Sequence, residues 1–533
     1  MPEPSSVTLG PADLALTYRS SVDDTDQPFR LYLPEGYDGE KPMPMLVVLH
    51  GTSGDQDSYF DTAAYGDGLY KRLADKHGVI VVSPHGRGVT EYHGIGEHDV
   101  LSVIDHVKQH FAVDEDRVVM SGLSMGGTGT SYLCGLYPDQ FAGGVAIGSC
   151  YKDLALLPNF RHVPMLFLQG QYDWPLYGKE GPFPGSVRLK ELGYDAVLEM
   201  VPKSPHNAVP LTGDRIFEWT VEQRRVRHPE HVSLRAYFPI HGKAYWVEVR
   251  EIARIGRPAS VEARVIDRRT IDIDIENGAC IALFPDPALL DLESPVEVRA
   301  NGKGLGQVTC SSEQEIRLTA VGDGWQVGTA TRNARQPLDY RTHRIGKVIT
   351  APTQEGPVET TMGTWMANAM RHATDADVAI CNGRYQRGIP LEDGQDLHLV
   401  DLVNWIRPCI WALCTCDITG RALLEIVEDS IYDGRKRLQF LPQVSGCSYT
   451  FDGSRPRGNR IPETDIDPDR VYRVVFEKQA LSRETLHLAG YFEQIDFVEH
   501  DITIISAAWA YVEKCGGVID ARLEGRVREV SAF

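Results

Sequence analysis

The spacing of apolar and polar positions divides the chain into three textures. Up to about residue 226, unbroken apolar runs of strand length recur at Met45–Leu49, Val79–Val82, Val118–Met120, Val163–Leu168 and Ala196–Val201. Runs of that length, bounded by Gly, Pro or turn residues, predict buried strands. Between them, Val100–Phe111, Thr128–Leu136 and Asp214–Arg224 read as helices, the last with Ile216, Phe217, Trp219 and Val221 on its apolar faces. From Val232 the period changes to two. Ala244–Arg250, Ser260–Ile266, Thr270–Ile275 and Pro295–Ala300 alternate apolar with polar residues, and Asn277-Gly278 and Asn301-Gly302 are turn dipeptides. Regular short strands of this kind predict a small β-sandwich. A third texture has a helix over Gly363–Arg371, a strand over Ala376–Cys381 and a polar loop from Asn382 to Arg387.

Composition narrows the class. The chain has 533 residues, 42% hydrophobic and 24% charged, which is ordinary globular material for about three domains. No apolar run approaches the roughly 20 residues of a spanning helix, so no membrane partner is expected. A formal charge of −20 argues against non-specific binding to nucleic acid. Residues Met1 to Ser6 lack the basic and apolar segments of a secretory signal, which makes a cytoplasmic location the expectation. The 10 cysteines are scattered without a C-x-x-C pair. Cys414 and Cys416 flank Thr415 within an apolar run and point to one strand face, as core residues do. No cluster has metal-ligand spacing, and neither a metal nor an organic cofactor is expected.

The candidate chemistry is concentrated in the first texture. Gly122-Leu123-Ser124-Met125-Gly126 has the form G-x-S-x-G between a predicted strand and a predicted helix, the context of a nucleophile elbow. Serine attacks poorly unaided, so a base and an acid are required, and this fold presents them in the order serine, acid, histidine. Asp173, just beyond the run ending near Gly170, is the candidate acid. His206, in the loop after Val201, is the candidate base. The oxyanion donors expected are the backbone N–H of Met125, at the helix start, and that of Thr52 in the His50-Gly51 loop, with Ser53 second. His50 is expected to brace that loop. Tyr92 and His93 fit a pocket wall or a plain surface loop equally.

On these motifs, residues from about 28 to 226 resemble the α/β-hydrolase esterases that include feruloyl and acetyl-xylan esterases and polyhydroxybutyrate depolymerases. The shared pattern runs through His50-Gly51, Gly78–Pro84, Val113–Val118 and Gly122–Gly127. That resemblance implies a Ser124–His206–Asp173 triad. The loop Lys203–Ala208 lacks the glycines often seen before the histidine. Residues from about 344 to 528 resemble the C-terminal, nucleoside-recognising domain of the 5′-nucleotidases, carried by Arg371, Asn382-Gly383, Ile418–Gly420, Leu441–Gly446 and Gly525–Val527. The resemblance implies ligand contacts from Arg371, Asn382 and Arg387, with Tyr491 as one stacking ring. Its partner ring is replaced by Cys409, Arg384 stands where the loop has a small residue, and the metal-binding phosphatase domain of that family has no counterpart upstream.

The expected architecture is an α/β-hydrolase over 1–228, a small β-sandwich over 229–340 and an α/β, 5′-nucleotidase C-terminal-like domain over 341–533. The expected function is serine carboxylic-ester hydrolysis through an acyl-enzyme, on an acyl ester of a sugar- or nucleoside-like small molecule. Acyl transfer by the same triad, and a ligand-binding or assembly protein with a vestigial hydrolase, are the alternatives. A homo-oligomer is compatible with either.

Overall fold

The continuous apolar runs of the first texture become the centre of an eight-stranded sheet in the order β1-β2-β4-β3-β5-β6-β7-β8. The strands are β1 (Ala12–Arg19), β2 (Asp26–Leu33), β3 (Met43–Leu49), β4 (Ile80–Pro84), β5 (Val113–Leu123), β6 (Gly143–Ile147), β7 (Met165–Gly170) and β8 (Ala196–Val201). In this computed structural model the described residues are 10–88, 90–149, 154–173, 182–332, 344–354, 356, 358–382, 390–406, 412–431, 441–478 and 495–530, with Asn382 described through its backbone alone. β1 and β2 are antiparallel, and from β4 onward the sheet is parallel. Every residue of β4, β6 and β7 is buried. That is why these strands lack the alternation of a half-exposed sheet. Helices Leu69–His77 and Val209–Glu222 pack together over a core that includes Tyr59, Tyr70 and Phe217.

Two helices begin five residues earlier than their periodicity indicates. The helix expected from Val100 spans Ile95–His110, because Gly96 is helical rather than a loop residue. A Cβ there would lie 2.0 Å from Thr90 Oγ1, so the glycine serves packing. The helix expected from Asp214 spans Val209–Glu222, with Pro210 in its first turn, where a missing N–H costs nothing.

Residues 231–331 form two five-stranded sheets. One contains Lys243–Ala244, Val247–Ile252, Gly278–Leu283, Gln314–Val321 and Gly324–Thr331. The other contains His231–Ala236, Ala259–Val265, Thr270–Glu276, Val296–Ala300 and Lys303–Val308. Val232, Leu234, Val261, Ile273, Ile281, Leu283, Val298 and Leu318 share one buried core. The alternating run Ala244–Arg250 is not one strand. A hairpin turn at Tyr245-Trp246, with Tyr245 at φ 53°, folds it back so that Ala244 faces Val247. Asn301-Gly302 is a hairpin turn, joining Ala300 to Lys303. Asn277-Gly278 has another role: it carries the chain from one sheet to the other.

The described residues form two compact units, the first drawn from residues 10–254 and 258–332 and the second from 255–257 and 344–530. Within the first unit, buried polar groups join the eight-stranded sheet's helices to the sheets that follow. Asn159 donates to Gly135 O (2.7 Å) and Arg235 O (2.9 Å) and accepts from Arg235 N (2.6 Å). His241, in the turn Pro239–His241, meets Glu97 of the Ile95–His110 helix at 2.9 Å, and Tyr137 donates to the same carboxylate. Glu97 is 1% exposed and His241 4%. Burial would raise the Glu97 pKa, but the charge and hydrogen bond of His241 and the Tyr137 hydroxyl outweigh it and hold the carboxyl below its ordinary value.

The second unit is built on a mixed sheet in the order Pro442–Ser445, Val378–Asn382, Val471–Glu477, Ala412–Thr419, Val498–Thr503. Helix Thr361–Thr374 packs on it, its first turn capped by Thr360, whose Oγ1 accepts from Gly363 N at 3.0 Å. Cys414 and Cys416 lie in the core of that sheet, where burial pushes both thiols up to about 12. Among the described residues no helix is long and apolar enough to cross a membrane.

His241→Leu should destabilise the first unit by about 3 kcal/mol at neutral pH, the cost of removing the imidazole partner of a buried carboxylate that keeps the Tyr137 hydroxyl. The sign with pH follows from the lowered Glu97 pKa. Its contribution is present above the ordinary glutamate value of about 4.3 and is lost as pH falls through the folded value. The gap between wild type and variant in urea midpoints should therefore narrow on acidification.

Candidate active site

The parallel strands β5, β7 and β8 end on one edge of the sheet, the edge where open α/β sheets place ligands. Ser124 follows β5, Asp173 lies three residues past β7, and His206 lies five residues past β8.

Ser124 alone turns the chain, because β5 ends at Leu123 and the helix Met125–Leu136 begins at the next residue. Its backbone sits at φ 57°, ψ −115°. A conformation so sparsely populated by non-glycine residues costs of order 1–3 kcal/mol. Surrounding structure holds it there. Ser124 N donates to Ile147 O at 2.8 Å, and Ser124 O accepts from Thr128 N at 2.9 Å. A Cβ on Gly122 would lie 2.3 Å from Gly126 O, and one on Gly126 2.0 Å from Leu49 O. The glycines of the motif are therefore contact points where β3, β5 and the helix touch through backbone alone.

The loops after β7 and β8 are stitched together. Gln171 N donates to Val201 O and Tyr172 N to Ser204 O, both at 3.0 Å, while Lys203 N donates to Gln171 Oε1 at 2.8 Å. This brings His206 Nδ1 to 2.8 Å from Asp173 Oδ2. A carboxylate oxygen accepts, so the Nδ1 proton points at Asp173 and Nε2 is left as the basic nitrogen. The His206 side chain is 36% exposed and the Asp173 side chain 3%. The ring packs on the Ile147–Gly148 turn: a Cβ on Gly148, at φ 53°, would lie 3.1 Å from both Cε1 and Nδ1. Ile147 is also the residue that anchors Ser124 N, so serine and histidine flank the same turn.

Gln169, in β7, is a site residue that the sequence reading missed. Its Nε2 donates to Asp173 Oδ2 at 2.6 Å, the same oxygen that meets His206. Its Oε1 is buried and has no hydrogen-bond partner among the described residues. The available signal was an amide near the end of an apolar run, four positions before Asp173.

Beside the elbow, Thr52 follows Gly51, on which a Cβ would stand 3.6 Å from Ser124 Cβ. His50 braces this loop, with Nδ1 2.9 Å from Gly51 O and Nε2 3.0 Å from His85 O. Tyr92 and His93 do not form a surface loop. Both are fully buried, because Tyr92 fills the space beside Gly86 and Gly129 and donates to His50 O, while His93 stacks on Tyr132 at 3.8 Å.

A cleft of about 990 Å³ opens at the other end of β5, near Val113 and Tyr245. Several of its charged groups are already paired: Lys243 with Asp139, His228 with Asp286, and Arg225 with Asp116. Trp246 is buried, and its indole N–H donates to Pro229 O. Among the described residues no group of three or more His, Cys, Asp or Glu could hold a metal ion.

In the second unit, Arg371 Nε donates to Ala376 O at 3.3 Å, which ties the guanidinium to the start of the following strand. Asn382 closes that strand, its side chain outside the described residues, as are Arg387, Arg384, Cys409 and Tyr491.

Residues 20–158 match a family model described as "Putative esterase", and residues 340–480 match the 5′-nucleotidase C-terminal domain. The trifunctional nucleotide phosphoesterase protein YfkN of Bacillus subtilis is 27% identical over 191 residues, covering 32% of this chain and 12% of that protein. The bifunctional acetylxylan esterase/xylanase XynS20E of Neocallimastix patriciarum is 36% identical over 103 residues, 19% of this chain and 15% of that protein. Feruloyl esterase B of Talaromyces stipitatus is 28% identical over 145 residues, 25% of this chain and 39% of that protein. The chain thus spans well under half the length of each. Among solved structures, the fluorophosphonate-binding serine hydrolase FphF of Staphylococcus aureus is 19% identical at a TM-score of 0.35, covering 40% of this chain and 99% of that one. An esterase-like, α/β-hydrolase-like N-terminal region is therefore joined in one chain to a 5′-nucleotidase C-terminal domain.

Gln169→Met should slow labelling of Ser124 by a fluorophosphonate about 10-fold or more, since a hydrogen bond to a charged group is worth about 1.5–3 kcal/mol. The thermal midpoint should move little, because the substitution also removes the unpartnered Oε1. Stopped-flow or gel-based labelling rates beside a melting curve check both.

Proposed function

We propose that the chain is a serine carboxylic-ester hydrolase with Ser124 as nucleophile, His206 as base and Asp173 as the acid that orients it. The observation that carries this reading is the 2.8 Å His206–Asp173 contact beside the strained turn at Ser124. Ser124 Oγ attacks the acyl carbonyl as His206 Nε2 takes its proton. The proton then passes to the departing alcohol, leaving an acyl-enzyme, and water repeats the sequence in reverse. The N–H groups of Met125 and Thr52 receive the oxyanion; donors of this kind are each worth about 10²–10³ in kcat. The relatives named for acetylxylan and ferulate support an acyl ester of a sugar-like molecule as substrate. The appended domain extends that to nucleoside-like alcohols. Transfer of the acyl group to another acceptor uses the same intermediate.

On this reading the two sheets of residues 231–331 are a β-sandwich between catalytic and C-terminal domains, with boundaries near 228 and 340. In the C-terminal domain, Arg371, Asn382 and Arg387 are proposed to grip an anionic or polyhydroxyl ligand, with Tyr491 as a one-sided stacking surface. A scaffold role, with a homo-oligomer as one form of it, is the alternative there.

Ser124→Ala should lower p-nitrophenyl acetate hydrolysis by several orders of magnitude with circular dichroism unchanged. Near-normal turnover by that variant would overturn the assignment. Wild-type turnover should survive EDTA and be lost to serine-directed phosphonates; inactivation by EDTA reversed by zinc or manganese would contradict it. Calorimetry of the intact protein with AMP and adenosine should give heat that Arg387→Ala abolishes, and no heat from either would leave the scaffold role.

A further inference from the structure

The backbone that leads into the oxyanion loop is held by aromatic hydroxyls. Tyr59 Oη donates to Leu49 O at 3.3 Å, Tyr92 Oη donates to His50 O at 2.9 Å, and Tyr65 Oη accepts from Gly51 N at 3.0 Å. Three consecutive residues thus each have a backbone polar group fixed by a different tyrosine. The rings form one packed group. Tyr59 and Tyr65 lie 4.6 Å apart, Tyr59 and Tyr70 4.7 Å, and Tyr92 meets the His50 ring edge-on at 5.7 Å. Burial pushes Tyr59 and Tyr92 well above the ordinary phenol value, which keeps both as O–H donors.

The geometry points to Tyr59, Tyr65 and Tyr92 as positioning residues that fix the orientation of the Thr52 peptide toward the oxyanion formed at Ser124. The inference rests on the ester-hydrolase reading above. Tyr65 occupies the Gly51 N–H, so that donor is turned away from the reacting carbonyl and the next N–H, that of Thr52, is the one presented. Tyr92 pins His50 O at the same time, which prevents the His50–Gly51 peptide from flipping and carrying its carbonyl into the site. An oxyanion donor works because it is already in place when charge develops. Freedom of a few tenths of an ångström in this loop should therefore cost transition-state stabilisation while leaving ground-state binding of the ester alone. Tyr70 supplies an internal control. It is fully buried in the same cluster, yet its hydroxyl has no hydrogen-bond partner among the described residues.

The test compares Tyr92→Phe, Tyr65→Phe and Tyr70→Phe in the full chain, with p-nitrophenyl butyrate as substrate and a boronic acid as tetrahedral analogue. Tyr92→Phe and Tyr65→Phe should each lower kcat about 10-fold or more with KM within about twofold, and weaken the boronic acid in parallel. Tyr70→Phe should leave kcat unchanged. Should Tyr92→Phe melt below the assay temperature, Tyr65→Phe at the cluster's edge carries the comparison. Well-folded Tyr65→Phe and Tyr92→Phe with wild-type kcat would overturn the proposal. So would an equal loss in Tyr70→Phe, since that reports packing alone. Wild-type protein that neither turns over the ester nor labels at Ser124 would instead bring down the hydrolase reading itself, a result read before any variant is made.

Discussion

Much of the first unit depends on a steric constraint at one point. Where β3, β5 and the helix from Met125 converge, the backbones touch so closely that neither Gly122 nor Gly126 could carry a side chain. With no Cβ between them, the helix starts one residue after the strand ends, and Ser124 has to take the left-handed turn by itself. That turn sets Ser124, the proposed nucleophile, at the end of β5 with the His50–Thr52 loop alongside it. The neighbouring parallel strands then need only end on the same edge to deliver Asp173 and His206, the proposed acid and base.

Much of this was legible in the sequence because it is local. A G-x-S-x-G between an apolar run and a helical stretch encodes the elbow in a few residues, and chain order then nominates Asp173 and His206. What was not legible depends on contacts between distant segments. Gln169 reads as a polar interruption in a strand until the loop after β7 folds back over it. Nothing local to Tyr59, Tyr65 or Tyr92 says that their hydroxyls meet consecutive backbone groups at the end of β3 and just beyond it. Asn277-Gly278 has the composition of a hairpin turn, and only the pairing of the flanking strands shows it crossing between sheets. Helix starts were misjudged for a related reason. Gly96 and Pro210 look like breakers by propensity, but one is demanded by Thr90 and the other sits where a helix tolerates proline.

The join between the eight-stranded sheet's helices and the sheets that follow is polar at its centre. A carboxylate as buried as Glu97 needs its partner to come from somewhere, and that partner, His241, is encoded about 140 residues later on the far side of a change in texture. Asn159 adds three directional bonds to the same junction. Apolar surfaces can slide over one another, whereas these groups accept a single docking geometry. The two parts of the first unit therefore form one compact body even though their sequence patterns differ.

The stitched loops after β7 and β8 have a consequence of a different kind. Because Gln171 and Tyr172 are bonded to the backbone around Val201 and Ser204, Asp173 and His206 are held as one piece. Any breathing of the sheet edge then changes the distance from that piece to the serine and leaves the pair itself intact. On the proposed function, the proton relay and the choice of substrate are consequently separable traits. The relay is written into two short loops that cannot vary independently, while the surrounding walls of the edge remain open to change without disturbing it.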